Sequence, residues 1–561
     1  MPSKSPEILA VNSQRVEGML DRVATTLDEE DAELIRRIVE SYDYITDLIE
    51  DKNTSIRRLR KLLFGAKTET SRNVLGDQGN ESSANIPAES HAESGEAADC
   101  DHRATVMSQD RESTSSSQPP CGHGRYGADA YQGAAQVDIP HPTLQPGDAC
   151  PDCLQGTLYE KSPSAMVRIV GQAPLGATVY RRQRLRCHLC DKVFTAPAPR
   201  DVGDQKYDIT AASMIGLLKY GSGLPFNRLE RLQRSCKIPL AASTQWDIVH
   251  ATASMLLPVY DELIRQAAQG EVLHNDDTTV RILELMGERA RKHPPRDEEH
   301  PPQRTGMFTS GVIAARAGVR IALFFSGRKH AGENLAEVLQ HRAAELESPI
   351  HMCDGLARNI PPEWKTILDN CLAHARRRFV DIHDRFTDEC RHLIESLGKV
   401  YHHDQIAREE GLSAEDRLAY HQLHSKPIMD DLHQWLQRQF DEKRVEPNSA
   451  LGEAISYMLK RWGRLTVFLH KAGAPLDNNT CERMLKTAIL HRKNAMFFKS
   501  RNGARVGDLY MSLIYTCELA GVNAYEYLNQ LQLNAATVAQ TPHTWLPWNY
   551  RENNPDNAKA A

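Results

Sequence analysis

From Gly270 onward, apolar runs of strand length alternate with turns and with helical patterns, and this alternation limits the chain more than any other feature. Val272–Asp276 and Thr279–Leu285 flank a pair of acids. Met307–Ala315 and Val319–Phe325 face each other across Gly318, as an antiparallel pair would. A helix is expected over Asn334–Glu347, then a strand Pro349–Cys353 ending at Asp354, a short run Trp364–Leu368, and a helix from Cys371. Three strands followed by alternating helix and strand predict a multidomain α/β protein with a sheet of mixed direction. The stretch about 385–471 reads as a helical insertion, after which Pro475–Arg492 returns as a helix carrying Glu482.

Three acids stand out by position. Asp276 lies inside an apolar strand pattern, Asp354 just past another, and Glu482 within a helix in the context Asp477-Asn-Asn-Thr-Cys-Glu-Arg483. Carboxylates at strand ends that meet one from a helix can hold hard divalent cations through oxygen. Two such ions can serve phosphodiester displacement.

The rest of the chain divides by texture. At 561 residues it exceeds one ordinary core and has room for three or four domains. Ile35, Ile38, Tyr42, Ile45, Ile49, Lys52, Ile56, Leu59 and Leu63 follow one another at alternating steps of three and four, the seam of a coiled coil over 30–66. Lys52 and Asn53 interrupt it and could set register. Residues 74–134 are polar and acidic with almost no aromatics, the composition of a disordered linker. Cys150-Pro-Asp-Cys153 and Cys187-His-Leu-Cys190 are two knuckles with 33 residues between them, suited to a closed, structural Zn²⁺ site in a ribbon over 140–200. Residues 205–268 have a helical pattern. Phe226–Cys236, the turn Lys237–Leu240 and a helix opening near Ser243 outline a helix-turn-helix, with Ser243 or Thr244 as N-cap. Residues 270–495, which carry the three acids, are expected to form the catalytic core with its insertion, and 496–561 a helical tail.

The net charge of −6 argues at first against nucleic acid. Nine Asp/Glu against two Lys/Arg between Val74 and Ser117 account for that sign. Outside this segment lie basic runs: Arg181, Arg182, Arg184 and Arg186; Arg376 and Arg377; and Arg483, Lys486, Arg492 and Lys493. Each adjoins a motif above, so these residues are candidate phosphate contacts. The longest apolar stretches fall short of a membrane span and the N-terminus has no secretory pattern, so a cytoplasmic protein with no membrane partner is expected.

Leu273-His-Asn-Asp-Asp-Thr-Thr-Val280, Cys353-Asp-Gly355 with Cys371-Leu-Ala-His-Ala-Arg-Arg377, Pro475–Arg483 with His491-Arg-Lys-Asn494, and Leu546-Pro-Trp-Asn549 together resemble the insertion sequence sixty-six family of bacterial transposases. Leu62–Glu69 and the paired knuckles occupy that family's places as well. The resemblance implies an RNase-H-like core of the DDE type, with Asp276, Asp354 and Glu482 as catalytic acids binding Mg²⁺ or Mn²⁺. It implies strand cleavage at the ends of an element and transfer of the freed 3′-hydroxyl into target DNA. The implied partners are DNA, further copies of this chain as a homodimer or higher oligomer, and accessory proteins of the same element. Asp277 stands where the family usually has Glu, which leaves the ligand open between Asp276 and Asp277. Lys486 replaces a usual Arg, and the glycine-rich run reads Ser500-Arg-Asn-Gly503. Cys371 and His374 form a C-x2-H pair whose role is either metal binding or structure. A DNA-binding regulator with a decayed core and a nuclease without strand transfer share the same motifs.

Overall fold

The computed structural model describes residues 140–149, 151, 157–159, 172–186, 193–197, 199, 205–287 and 304–552. The heptad, the linker and the four knuckle cysteines lie outside the described residues. Arg376–Val400 groups apart from Ala97–Ala375 and Tyr401–Ala561. No helix among the described residues is long and apolar enough to cross a membrane.

Two short strands, β1 (Arg184–Arg186) and β2 (Val193–Thr195), pair antiparallel. The main sheet has five strands: β3 (Val272–Thr279), β4 (Phe308–Arg316), β5 (Val319–Gly327), β6 (Ile350–Cys353) and β7 (Ile367–Asn370), in the order β5-β4-β3-β6-β7. β3–β4 and β4–β5 are antiparallel, whereas β3–β6 and β6–β7 are parallel. The sheet is therefore mixed, as the alternation predicts.

β3 runs unbroken through both acids, where the pattern indicates two strands with the acids between them. Asp276 and Asp277 stay in the ladder opposite Gly311 and Ser310. Backbone pairing is indifferent to side-chain charge, so polar side chains do not end a strand whose partner continues. Leu283–Leu285 is a short 3₁₀ turn, not strand.

Helices α1 (Ile209–Gly216), α2 (Phe226–Ser235) and α3 (Ala242–Ala268) precede the sheet. Ala241, not Ser243 or Thr244, is the N-cap of α3 and offers no capping side chain. The Glu230 carboxylate of α2 accepts from Ala242 N instead (3.1 Å), so the neighbouring helix supplies the missing acceptor. Helix α4 (Ala331–Leu339) begins and ends earlier than the expected Asn334–Glu347. Glu333 accepts from His330 N at its start (2.7 Å). Beyond its end, Arg342 donates to Ala268 O and Gly270 O (both 2.8 Å), drawing the chain off the helix axis.

Helix α5 (Leu372–Ile382) leads into α6 (Thr387–Glu409), and α7 (Ala414–His424), α8 (Lys426–Asp441) and α9 (Ala450–Leu465) follow. Then come α10 (Asn479–Ala495), α11 (Arg501–Leu519), α12 (Ala524–Leu533) and α13 (Ala535–Gln540). Leu256, Val259 and Leu263 of α3, Leu323 and Phe324 of β5, Met484 of α10 and Leu513 of α11 meet in one buried cluster around the sheet.

Candidate active site

Strand register brings the first two acids together. β3 and β6 pair Val272↔Ile350, Leu273↔His351 and His274↔Met352. The offset is 350 − 272 = 78, and 354 − 276 is also 78, so the register carried two residues on sets Asp354 beside Asp276. Asn359 joins them: its Nδ2 donates to Asp354 Oδ1 (2.9 Å) and reaches Asp276 Oδ1 at 3.3 Å. Asp354 is held by a local turn, accepting from Leu356 N (2.9 Å). Gly355 has φ +79°, and a Cβ there would stand 2.9 Å from Asn370 Nδ2, so glycine meets both the backbone and the space requirement.

Glu482 arrives on the first turn of α10, and that helix is clipped to β3 at both ends. At its start the buried Asn478 donates through Nδ2 to Asn275 O (3.0 Å), and its Oδ1 contacts His274 Nδ1 (3.0 Å). Near its end Arg492 Nη1 donates to Thr278 Oγ1 (3.1 Å), Thr279 O (2.5 Å) and Thr279 Oγ1 (2.6 Å). Between the clips α10 lies against Gly311, the residue paired with Asp276; a Cβ there would overlap Met484 Cε and stand 3.1 Å from Leu485 Cδ2. Cys481 Sγ donates to Gly311 O (3.6 Å).

Beneath the acids runs a buried polar chain. Asn275 Nδ2 donates to Asn359 O (2.7 Å), and Asn275 Oδ1 contacts His351 Nε2 (2.9 Å). Burial pushes His274 and His351 down to about 4, so both rings are neutral and serve as hydrogen-bonding spacers.

Burial first, and then the neighbouring Asp354, Asp277 and Glu482 carboxylates, raise the Asp276 carboxyl to about 7, against the lowering effect of a hydrogen bond from Asp277 N. Asp277 has its own partners, His330 Nδ1 at 2.9 Å and Arg358 Nη2 at 3.4 Å. Alternation along the strand sends the two adjacent acids to opposite faces. Asp276 therefore carries its charge toward other acids, and Asp277 toward bases. His374 Nδ1 lies 3.5 Å from Glu482 Oε1, and Cys371 Sγ accepts from Asn478 N at 3.3 Å.

The basic residues differ in what they face. Arg181, Arg182 and Arg184 are exposed, and Arg186 continues strand β1. Arg483, Lys486 and Lys493 are exposed on α10, whereas Arg492 is half-buried in its clip to β3. Arg376 and Arg377 lie on α5, in the Arg376–Val400 group. His491 is buried, stacked 4.7 Å from Phe498 and 6.1 Å from Tyr220, and burial drives its imidazole down to about 3. It is a packing residue.

Sequence reasoning misses Asn359 and His330, which stand in no recognisable motif. Asn275 and Asn478 lie within the quoted motifs, and their buried amides mark them only after folding.

The protein is α/β: its mixed sheet sets Asp354 beside Asp276, and the helix bearing Glu482 packs on the same central strand. The family model described as Transposase IS66 family matches residues 207–506, more than half of the chain, and the chain belongs to that family. It is 27% identical over 442 residues to the uncharacterized protein y4hP of Sinorhizobium fredii (strain NBRC 101917 / NGR234), covering 73% of this chain and 74% of the relative. It is 28% identical over 430 residues to the uncharacterized protein y4jD of the same organism, covering 73% and 79%.

Proposed function

We propose that the protein is a DDE transposase in which Asp276, Asp354 and Glu482 carry out strand cleavage at element ends and strand transfer into target DNA. The observation that carries this reading is the meeting of Asp276 and Asp354 through register and Asn359, with Glu482 delivered by a helix clipped to the same strand. The sheet order and the placement of the acids are compatible with an RNase-H-like core. Asp276 is the first ligand, because Asp277 is engaged by His330 and Arg358.

The three carboxylates fit hard divalent cations. All donors are oxygen, and Asp276 sits among the like charges of Asp354, Asp277 and Glu482. Asp276, Asp354 and Glu482 would hold Mg²⁺ or Mn²⁺, which there supply Lewis acidity and in-line orientation for phosphodiester displacement. The chain's own groups keep the site rigid: Asn359 spaces two acids, and Asn478 and Arg492 fix the helix that bears the third. Arg181, Arg182, Arg184, Arg186, Arg376, Arg377, Arg483, Lys486, Arg492 and Lys493 are the phosphate-contacting residues in this reading, with Arg492 also positioning Thr278 and Thr279.

A structural Zn²⁺ on Cys150, Cys153, Cys187 and Cys190 completes the N-terminal part. Each knuckle falls between paired backbone segments, Ala149 with Thr157 and Arg186 with Val193. Helices α2 and α3 supply a DNA-reading pair, and the coiled coil over 30–66 joins two copies so that two element ends are handled together. Accessory proteins of the element are expected partners.

The test is a joining assay with labelled element ends, target DNA and Mn²⁺. Wild type cleaves and joins, while Asp276→Asn binds the ends but does neither. Cleavage without joining would make the protein a nuclease. Binding without turnover in the wild type would make it a regulator.

A further inference from the structure

Beside the Asp276–Asp354 pair, Cys371, His374 and Glu482 bring one sulfur, one nitrogen and one oxygen within 4.8 Å of one another. We infer that these three side chains form a separate soft-metal site, best matched to Zn²⁺, in which Glu482 is shared with the carboxylate centre.

The local fold prepares each ligand. Cys371 stands immediately before α5, and its Sγ accepts N–H groups from Asn478 and from His374. The two amide donors orient the sulfur, while burial pushes the Cys371 thiol up to about 12, so it stays protonated until a metal displaces the proton. His374 follows three residues on, the spacing that puts both side chains on one helix face. Its Nδ1 is buried and has no hydrogen-bond partner among the described residues, and it faces Glu482 Oε1 at 3.5 Å. Zinc bonds of roughly 2.0–2.3 Å in a tetrahedron set ligand atoms about 3.3–3.8 Å apart. The His374–Glu482 distance already falls in that span, and Cys371 needs only a small closure.

The donor set selects the ion. Thiolate and imidazole suit Zn²⁺ and its transition-metal neighbours, whereas Mg²⁺ prefers oxygen alone. Three protein ligands leave a fourth position open to water or a phosphate oxygen. His374 and Glu482 are each about a quarter exposed, so an ion can enter. Binding releases the Cys371 thiol proton to solvent. Zinc uptake rests on these ligands alone. That it competes with hard-ion binding for Glu482 rests on the transposase reading.

The experiment loads metal-free full-length protein with Co²⁺ and then with Zn²⁺, comparing wild type with Cys371→Ser, His374→Ala and Asp276→Asn. The knuckle cysteines are common to all four. Expected are a thiolate-to-cobalt charge-transfer band weakened in Cys371→Ser, and a zinc equivalent that binds about 10–100-fold more weakly or is lost in Cys371→Ser and His374→Ala. Asp276→Asn retains that equivalent even though the proposed cleavage is gone, which separates failure of the zinc site from failure of the catalytic reading. Circular dichroism checks folding. If Cys371→Ser does not fold, the partly exposed His374→Ala decides. Full zinc content with unchanged affinity in His374→Ala overturns the site.

Discussion

At the residue scale, two small choices govern how the acids meet. Gly311 lets α10 rest on β4 directly across from Asp276. Gly311→Val would drive a branched side chain into Met484 and Leu485, and overpacking of this kind costs about 1–3 kcal/mol. Urea unfolding should show that loss, together with weakened cleavage; a variant as stable and active as wild type would mean that α10 does not depend on this close approach. Asn478 is the second choice. Asn478→Ala strands the buried Asn275 carbonyl and the His274 ring, at about 1–3 kcal/mol for an unsatisfied buried group. The same variant loosens the turn that carries Glu482, so turnover should fall more than DNA binding does. Equal losses in both would place Asn478 in general folding only.

At the element scale, the exposed edge of the sheet is closed by a helix. β5 lies at one end of the strand order. Asp508, Ser512 and Thr516 of α11 accept from Ser326 N (2.7 Å), Phe324 N (2.9 Å) and Ala322 N (3.1 Å). The spacing matches because four helical residues rise about 6 Å and two strand residues about 6.7 Å. Side chains thus occupy the ladder positions of a missing strand and block edge-to-edge pairing. Burial raises the Asp508 carboxyl to about 7, above its ordinary 3.8. The folded state then keeps a proton that the unfolded chain releases. This contribution is complete below about pH 3.8 and is lost as pH rises through about 7. Asp508→Asn removes it, so the stability of wild type relative to the variant should decline between those limits, by at most about 1.4 kcal/mol per pH unit. Thermal melts across that range check the sign, and parallel curves for the two proteins would show that Asp508 does not titrate there.

At the scale of the whole molecule, the proposed cutting and joining of two ends would require two active sites held together. The proposed coiled coil over 30–66 would bury a seam with eight of nine positions apolar, worth roughly 25 cal/mol per Å² and reduced by Lys52. Ile45→Asp with Ile49→Asp should lower the sedimenting mass while leaving the Asp276 site intact. Unchanged mass would assign the pairing to another surface. The knuckle cysteines make an independent prediction: Cys187→Ser with Cys190→Ser should lose one zinc per chain, separately from the equivalent assigned to Cys371.

The sequence by itself determined the α/β alternation, the family, and the acids worth asking about, because strand and helix periodicity and short motifs are written locally. Asp276, Asp354 and Glu482 were legible as acids in unusual settings. Which of Asp276 and Asp277 faces the others was not legible. It follows from which face of β3 meets β6 and α10, and that is settled by pairing between residues about 80 and 200 positions apart. The continuity of β3 through its two acids was hidden for the same reason, since a partner strand decides it and local polarity does not. Asn359, His330 and Asp508 carry no local signature at all. The roles of Asn359 and Asp508 come from burial, which turns an ordinary polar side chain into one that must find a specific partner, and that of the half-buried His330 from its contact with the buried Asp277. Only the tertiary structure supplies that burial.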